Sequence, residues 1–171
     1  MSTDYSEDRL IQKSAAELME TELGWTSIYA YDKEVLGENG TFGRNSFHEV
    51  LLTQRFRLAL KKLNPWINDK QIAEAIERMT ERMSSQTLMQ INEQKYQFIR
   101  DGIPVTRIKP DGTSEEIKAV VIDFENIDNN DFLCVRELWI YGALYRRRAD
   151  IVGFVNGIPL LFLSLIHISE P

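Results

Sequence analysis

At 171 residues, with 43% hydrophobic and 27% charged side chains, the chain has the composition of one globular domain with enough apolar material for a core. A formal charge of -6 argues against a protein that coats nucleic acid by charge alone, because that affinity comes from clustered Lys and Arg. No apolar run reaches the length of a membrane span, the start MSTDYSEDR has no basic-then-apolar leader, and the lone Cys134 excludes an internal disulfide; the expected compartment is the reducing cytoplasm, with no membrane partner.

In chain order, Asp4 to Leu23 is predicted as a helix, with Leu10, Ser14, Leu18 and Ile11, Ala15 at helical spacing and Gly24 as its C-terminal stop. TSIYAY, ending at Tyr31, is a short strand, and the polar, glycine-rich Asp32 to Gly43 is a loop. Ser46 with Glu49 three residues on has the pattern of a capping box, opening a second helix that Asn64-Pro65 must end. Asn68 with Gln71 opens a third helix, running to about Met83, and a fourth covers Thr87 to Arg100. His48 is placed on the surface of the second helix, without a Cys, Ser or His partner nearby in sequence.

After Gly102 the period changes from helix to strand. Ile103 to Ile108 and Glu116 to Phe124 flank the turn signal Pro110-Asp111-Gly112 and form a hairpin. Asp123, Asp128 and Asp131 fall in a polar stretch that lacks the central glycine and final glutamate of a calcium loop, so a solvated turn is the reading. Phe132 to Tyr141 is the next strand. Tyr145 to Phe162, YRRRADIVGFVNGIPLLF, then reads as a second hairpin: two apolar strands buried on both faces, turned by Asn156-Gly157, with Asp150 at the head of the first. Pro159 lacks an N–H, which makes the second strand an edge or bulges it near its start.

RRRADIVGFVNGIPLLF resembles the core of the N-terminal nuclease domain of the restriction (R) subunit of type I restriction-modification enzymes, a PD-(D/E)xK nuclease. Gly24-Trp25, Gly43-Arg44 and Asn64-Pro65 resemble the same family along the earlier chain. The resemblance implies an α/β fold in α+β order, a mixed sheet flanked by helices, and Mg²⁺-dependent cleavage of DNA. It makes Asp150 the metal-binding aspartate, with Ala149 where the family has proline, and expects Glu and Lys at positions 164 and 166. Ser164 and Ile166 stand there instead. A strict two-residue turn would set Asp150 opposite Leu163, so bringing positions 150, 164 and 166 onto one face requires one extra residue, such as a bulge near Pro159.

The tail LSLIHISEP resembles translated adapter sequence from transposase-based sequencing libraries. The expectation is a domain over residues 1–162, cut short before Glu-x-Lys, and a non-native tail over 163–171; a natural strand with an unusual ending is the alternative. With one of three catalytic side chains left, metal binding is expected to be weak and cleavage absent. Glu7 is either an accessory acid near the metal, as the resemblance suggests, or a favourable charge in the first turn of its helix. Arg146, Arg147 and Arg148 are the expected phosphate contacts, at most two of them on one face, against the alternative of salt bridges. Arg44 is a phosphate contact or a solvated or capping arginine. The resemblance brings ATP-driven motor domains and modification and specificity subunits as partners, but no GxxxxGK[ST] phosphate loop occurs here, so ATP chemistry lies outside this chain. A non-catalytic docking module, with Asp150 capping a core hairpin, is the competing function.

Overall fold

The computed structural model describes residues 7–81, 85–142 and 144–164, the side chains of residues 7–9 excepted. The chain forms two compact units. Unit 1 is built from residues 1–52 and 132–171, and unit 2 is the continuous segment Thr53–Asp131.

Unit 1 is a mixed four-stranded sheet with the order β1-β4-β5-β6, formed by β1 (Thr26–Tyr29), β4 (Phe132–Tyr141), β5 (Arg146–Val155) and β6 (Ile158–Leu163). β1 runs parallel to β4, and the other pairs are antiparallel. Helix α1 (Glu7–Leu23) lies on one face, where Ala16 and Met19 pack against Cys134 and Ile151. Its buried side differs from the predicted one: Gln12, Ala16 and Met19 are buried, whereas Leu10, Ile11 and Leu18 are about half exposed. The sheet offers this helix Cys134 and Ile151, which Ala16 and Met19 meet. The opposite face is covered by Phe42 and Leu52 from the segment after β1, over Leu133, Val135, Val152 and Phe154.

The second predicted helix begins at Thr53 and not at Ser46, because the intervening carbonyls are bonded elsewhere. Tyr141 N–H donates to Phe47 O at 3.0 Å and Arg44 Nη1 to Glu49 O at 3.1 Å, while Leu52 N–H donates to Gly157 O. Ser46 and Glu49 still make local bonds, to the N–H groups of His48 and Asn45, but they close a turn. His48 therefore sits in that turn, edge-on to Tyr141.

In unit 2, α2 (Thr53–Leu63), α3 (Asp69–Thr80) and α4 (Leu88–Asp101) precede the hairpin of β2 (Ile103–Ile108) and β3 (Ser114–Ala119). The predicted capping box of Asn68 with Gln71 forms, a second one, Thr87 with Gln90, opens α4, and Gly102 at φ 92 ends it. The predicted end of α3 near Met83 lies outside the described residues. β3 stops five residues before the predicted Phe124, because the Asn64 side chain takes both Val120 N–H and Val120 O at 2.8 Å and caps the strand. In the loop that follows, Asp123 accepts from the backbone N–H of Asn126 and Glu125 and from Asn129 Nδ2. The Asn126 N–H, followed by the Asn129 amide, holds its carboxyl below the usual carboxylate range. This is a self-bonded turn.

Candidate functional site

Asp150 is the fifth residue of the ten-residue β5 and so stands inside the strand, not at its head. Strand alternation puts Arg146, Arg148 and Asp150 on one face and Arg147 on the other. Ring contacts agree: Arg146 Cζ is 4.7 Å from the Tyr141 centroid, and Arg148 Cζ is 4.9 Å from Tyr31 and 5.9 Å from Trp139. Arg147, opposite Ile140, borders an open apolar hollow with Gly142, Leu144 and Tyr145.

The hairpin carries a bulge on its second strand. Asn156 and Gly157 both take positive φ, 53° and 81°, as a tight two-residue turn needs. Pairing then runs Val155 with Ile158 and Phe154 with Pro159, but resumes as Gly153 with Leu161, leaving Leu160 as the extra residue of a bulge. The last pair of the hairpin is Ile151 with Leu163, where β6 ends, and Ser164 follows it. The bulge required by the sequence is therefore present one residue after Pro159, on the edge strand of the sheet. Gly153 makes room beside it: a Cβ there would stand 2.9 Å from both Leu161 Cβ and Trp25 Cζ3.

A second irregularity lies across the sheet. Arg136 pairs with Ile151 and Leu138 with Ala149, which sets Glu137 opposite Asp150. Val135 and Leu138 both face the Phe42 side, as do Ala149 and Val152, so alternation slips by one on both strands at this level. Glu137 at φ 60, a conformation uncommon for a side chain of its size, is where β4 makes the slip. Two successive cross-strand pairs, Arg136 with Ile151 and Glu137 with Asp150, thereby share the α1 face. Gln12 of α1, 5% exposed, donates through Nε2 to Asp150 Oδ1 at 3.5 Å. Glu137 is 4% exposed, and its Oε2 forms an ion pair with Arg148 Nε, a charge contact without the angles of a hydrogen bond.

Gln12, Glu137, Tyr31 and Trp139 were not legible as site residues. Glu7 is the first residue of α1, and its side chain lies outside the described residues. Arg44, expected to reach phosphate or solvent, is instead 1% exposed. Its guanidinium engages both oxygens of Glu34, at 2.5 and 2.6 Å, as well as Glu49 O and Trp139 O. No edge of it is left for a phosphate on this face.

The sequence matches the family model described as the type I restriction enzyme R protein N terminus over residues 4–163. It is 31% identical over 145 residues to the type I restriction enzyme HindI endonuclease subunit of Haemophilus influenzae, covering 84% of this chain and 13% of that relative. It is 27% identical over 158 residues to the putative type I restriction enzyme MjaIXP endonuclease subunit of Methanocaldococcus jannaschii, covering 91% of this chain and 14% of that one. The chain thus spans a small fraction of the length of the curated relatives it matches. Among the described residues no helix is long and apolar enough to cross a membrane.

Proposed function

Because the chain belongs to the family of type I restriction enzyme R protein N-termini, we propose that unit 1 is the DNA-cleavage fold of a restriction endonuclease subunit, with Asp150 at its reactive position. The observation that supports this reading most is the bulge at Leu160. Extended one residue past the last pair, Ile151 with Leu163, the bulged register would set residue 164 across from Asp150, the relation that an Asp followed by Glu-x-Lys on the next strand requires.

The resemblance brings Mg²⁺ with it, an ion that carboxylate oxygens hold and that would polarise a phosphate and acidify water. The donors described in this chain do not complete such a site. Among the described residues no group of three His, Cys, Asp or Glu side chains is placed to hold a metal ion. Ser164 offers no carboxylate, and Glu137 is committed to Arg148. In this reading the chain holds and orients a DNA strand and does not cleave it. Duplex DNA in the cytoplasm is the proposed substrate. Modification and specificity subunits and ATP-driven motor regions are the proposed partners in the whole assembly.

Restoring the two side chains tests this. The double variant Ser164→Glu/Ile166→Lys is expected to gain Mn²⁺ binding by calorimetry and to nick supercoiled plasmid in Mg²⁺, and adding Asp150→Asn should remove both. A folded double variant that takes up no metal overturns the proposal.

A further inference from the structure

Resting on the reading of unit 1 as a nuclease fold, we propose that Arg148 is a preset fork for one phosphate of a DNA strand and that Glu137 is the residue that presets it. The three arginines of β5 are unequal. Arg147 faces away from Asp150, and among the described residues Arg146 stacks on Tyr141. Arg148 has three close neighbours: Glu137 Oε2 beside Nε, and the Tyr31 and Trp139 rings with centroids 4.9 and 5.9 Å from Cζ. Trp139 is itself anchored, its indole N–H donating to Tyr31 O at 3.0 Å.

Nε lies against Glu137 Oε2 as a charge contact, and among the described residues none accepts a hydrogen bond from the two Nη groups. They form a planar pair of donors on a side chain that is 40% exposed, two residues from Asp150 on the same face. Two parallel N–H donors match two oxygens of a phosphate, and a guanidinium already held in place loses little freedom on binding. The slip at Glu137 brings this about. Without its φ of 60°, strand alternation would turn the carboxylate to the Phe42 face and leave Arg148 unanchored.

The test separates this role from bulk charge. Binding of the 171-residue chain to a fluorescein-labelled 20-base-pair duplex is followed by anisotropy in EDTA at low salt. Arg148→Ala is expected to weaken binding about tenfold and to flatten the dependence of log K on log salt by about 0.9, one phosphate contact. Arg148→Lys should not restore it, and Arg147→Ala should match the parent chain. Simple electrostatics says that neutralising a carboxylate tightens DNA binding, whereas Glu137→Gln is expected here to weaken it, with no further loss when combined with Arg148→Ala. If Glu137→Gln does not fold, Tyr31→Leu, which removes one shelf of the stack, is expected to weaken binding in the same direction.

Unchanged affinity in Arg148→Ala, or tighter binding in Glu137→Gln, overturns the inference. Because the binding assay contains no metal, its outcome is read separately from that of the metal-uptake test. An Arg148 effect without any metal uptake by Ser164→Glu/Ile166→Lys would leave a phosphate contact on a fold that does not cleave. The converse result would leave a nuclease fold with its phosphate contact elsewhere.

Discussion

Arg44 and Glu34 face each other with side chains 0% and 3% exposed, and both guanidinium and carboxylate are used on two edges. Such a pair gains little over a well-packed apolar replacement, yet breaking it strands a charge away from water. Arg44 also ties three segments together, since its remaining donors reach Glu49 O before α2 and Trp139 O on β4. Glu34→Gln is therefore expected to lower the stability of the chain by about 3–5 kcal/mol in urea unfolding, the cost of leaving one buried charge unpaired. Arg44→Lys should fare almost as badly, because an ammonium cannot span both carboxylate oxygens and two carbonyls. The paired replacement Arg44→Met/Glu34→Leu is expected to recover a large part of the loss. A mild effect in either single variant would mean that water reaches the pair.

At the scale of the element, the bulge shifts the register of β6 by one residue, and cysteine pairs test how that register continues past Ile151 with Leu163. Residues directly opposite in an antiparallel pair have Cα atoms about 4.5–5.5 Å apart, within reach of a disulfide. Asp150→Cys/Ser164→Cys is expected to cross-link on mild oxidation, scored by mass spectrometry, whereas Asp150→Cys/Leu163→Cys, the partner in an unbulged hairpin, is not. The one native thiol, Cys134, is buried in the core, where burial pushes its pKa up and keeps it inert. This bulge was legible beforehand because the resemblance asks position 164 to share a face with Asp150, and with a two-residue turn period-two alternation allows that only with one extra residue. The cap at Asn68 was legible because its bonds close within three residues. Ser46 carries the same motif and fails as a helix start, because Tyr141, far away in sequence, claims the carbonyl of Phe47. The Glu137 slip belongs with that failure. Its anchor is an arginine on the neighbouring strand, and no local pattern names a cross-strand partner.

For the molecule as a whole, the order of elements in the sequence conceals that the two units are built differently. Unit 2 is one unbroken segment, Thr53–Asp131, and its internal bonds need nothing from outside it. Asn64 caps β3, Gln71 Nε2 donates to Thr106 O, and the Glu74 carboxylate accepts from Thr106 N–H, joining α3 to β2. Arg55 meets Asp131 at the two ends of the segment. Unit 1 is discontinuous: β1 has only β4 as a partner, and the buried side of α1 rests on Cys134 and Ile151, more than a hundred residues later in the chain. A fragment of residues 53–131 is accordingly expected to show helical circular dichroism and a cooperative urea transition by itself. Residues 1–52 alone should show neither, because a four-residue strand without a neighbour and a helix without its sheet bury too little apolar surface to offset the entropy of ordering them. If both fragments are unstructured, the segregation of contacts into two units reflects chain geometry and not independent stability. If residues 1–52 fold alone, α1 and β1 hold together without the strands that carry Asp150, and the face described above is assembled by docking two preformed pieces.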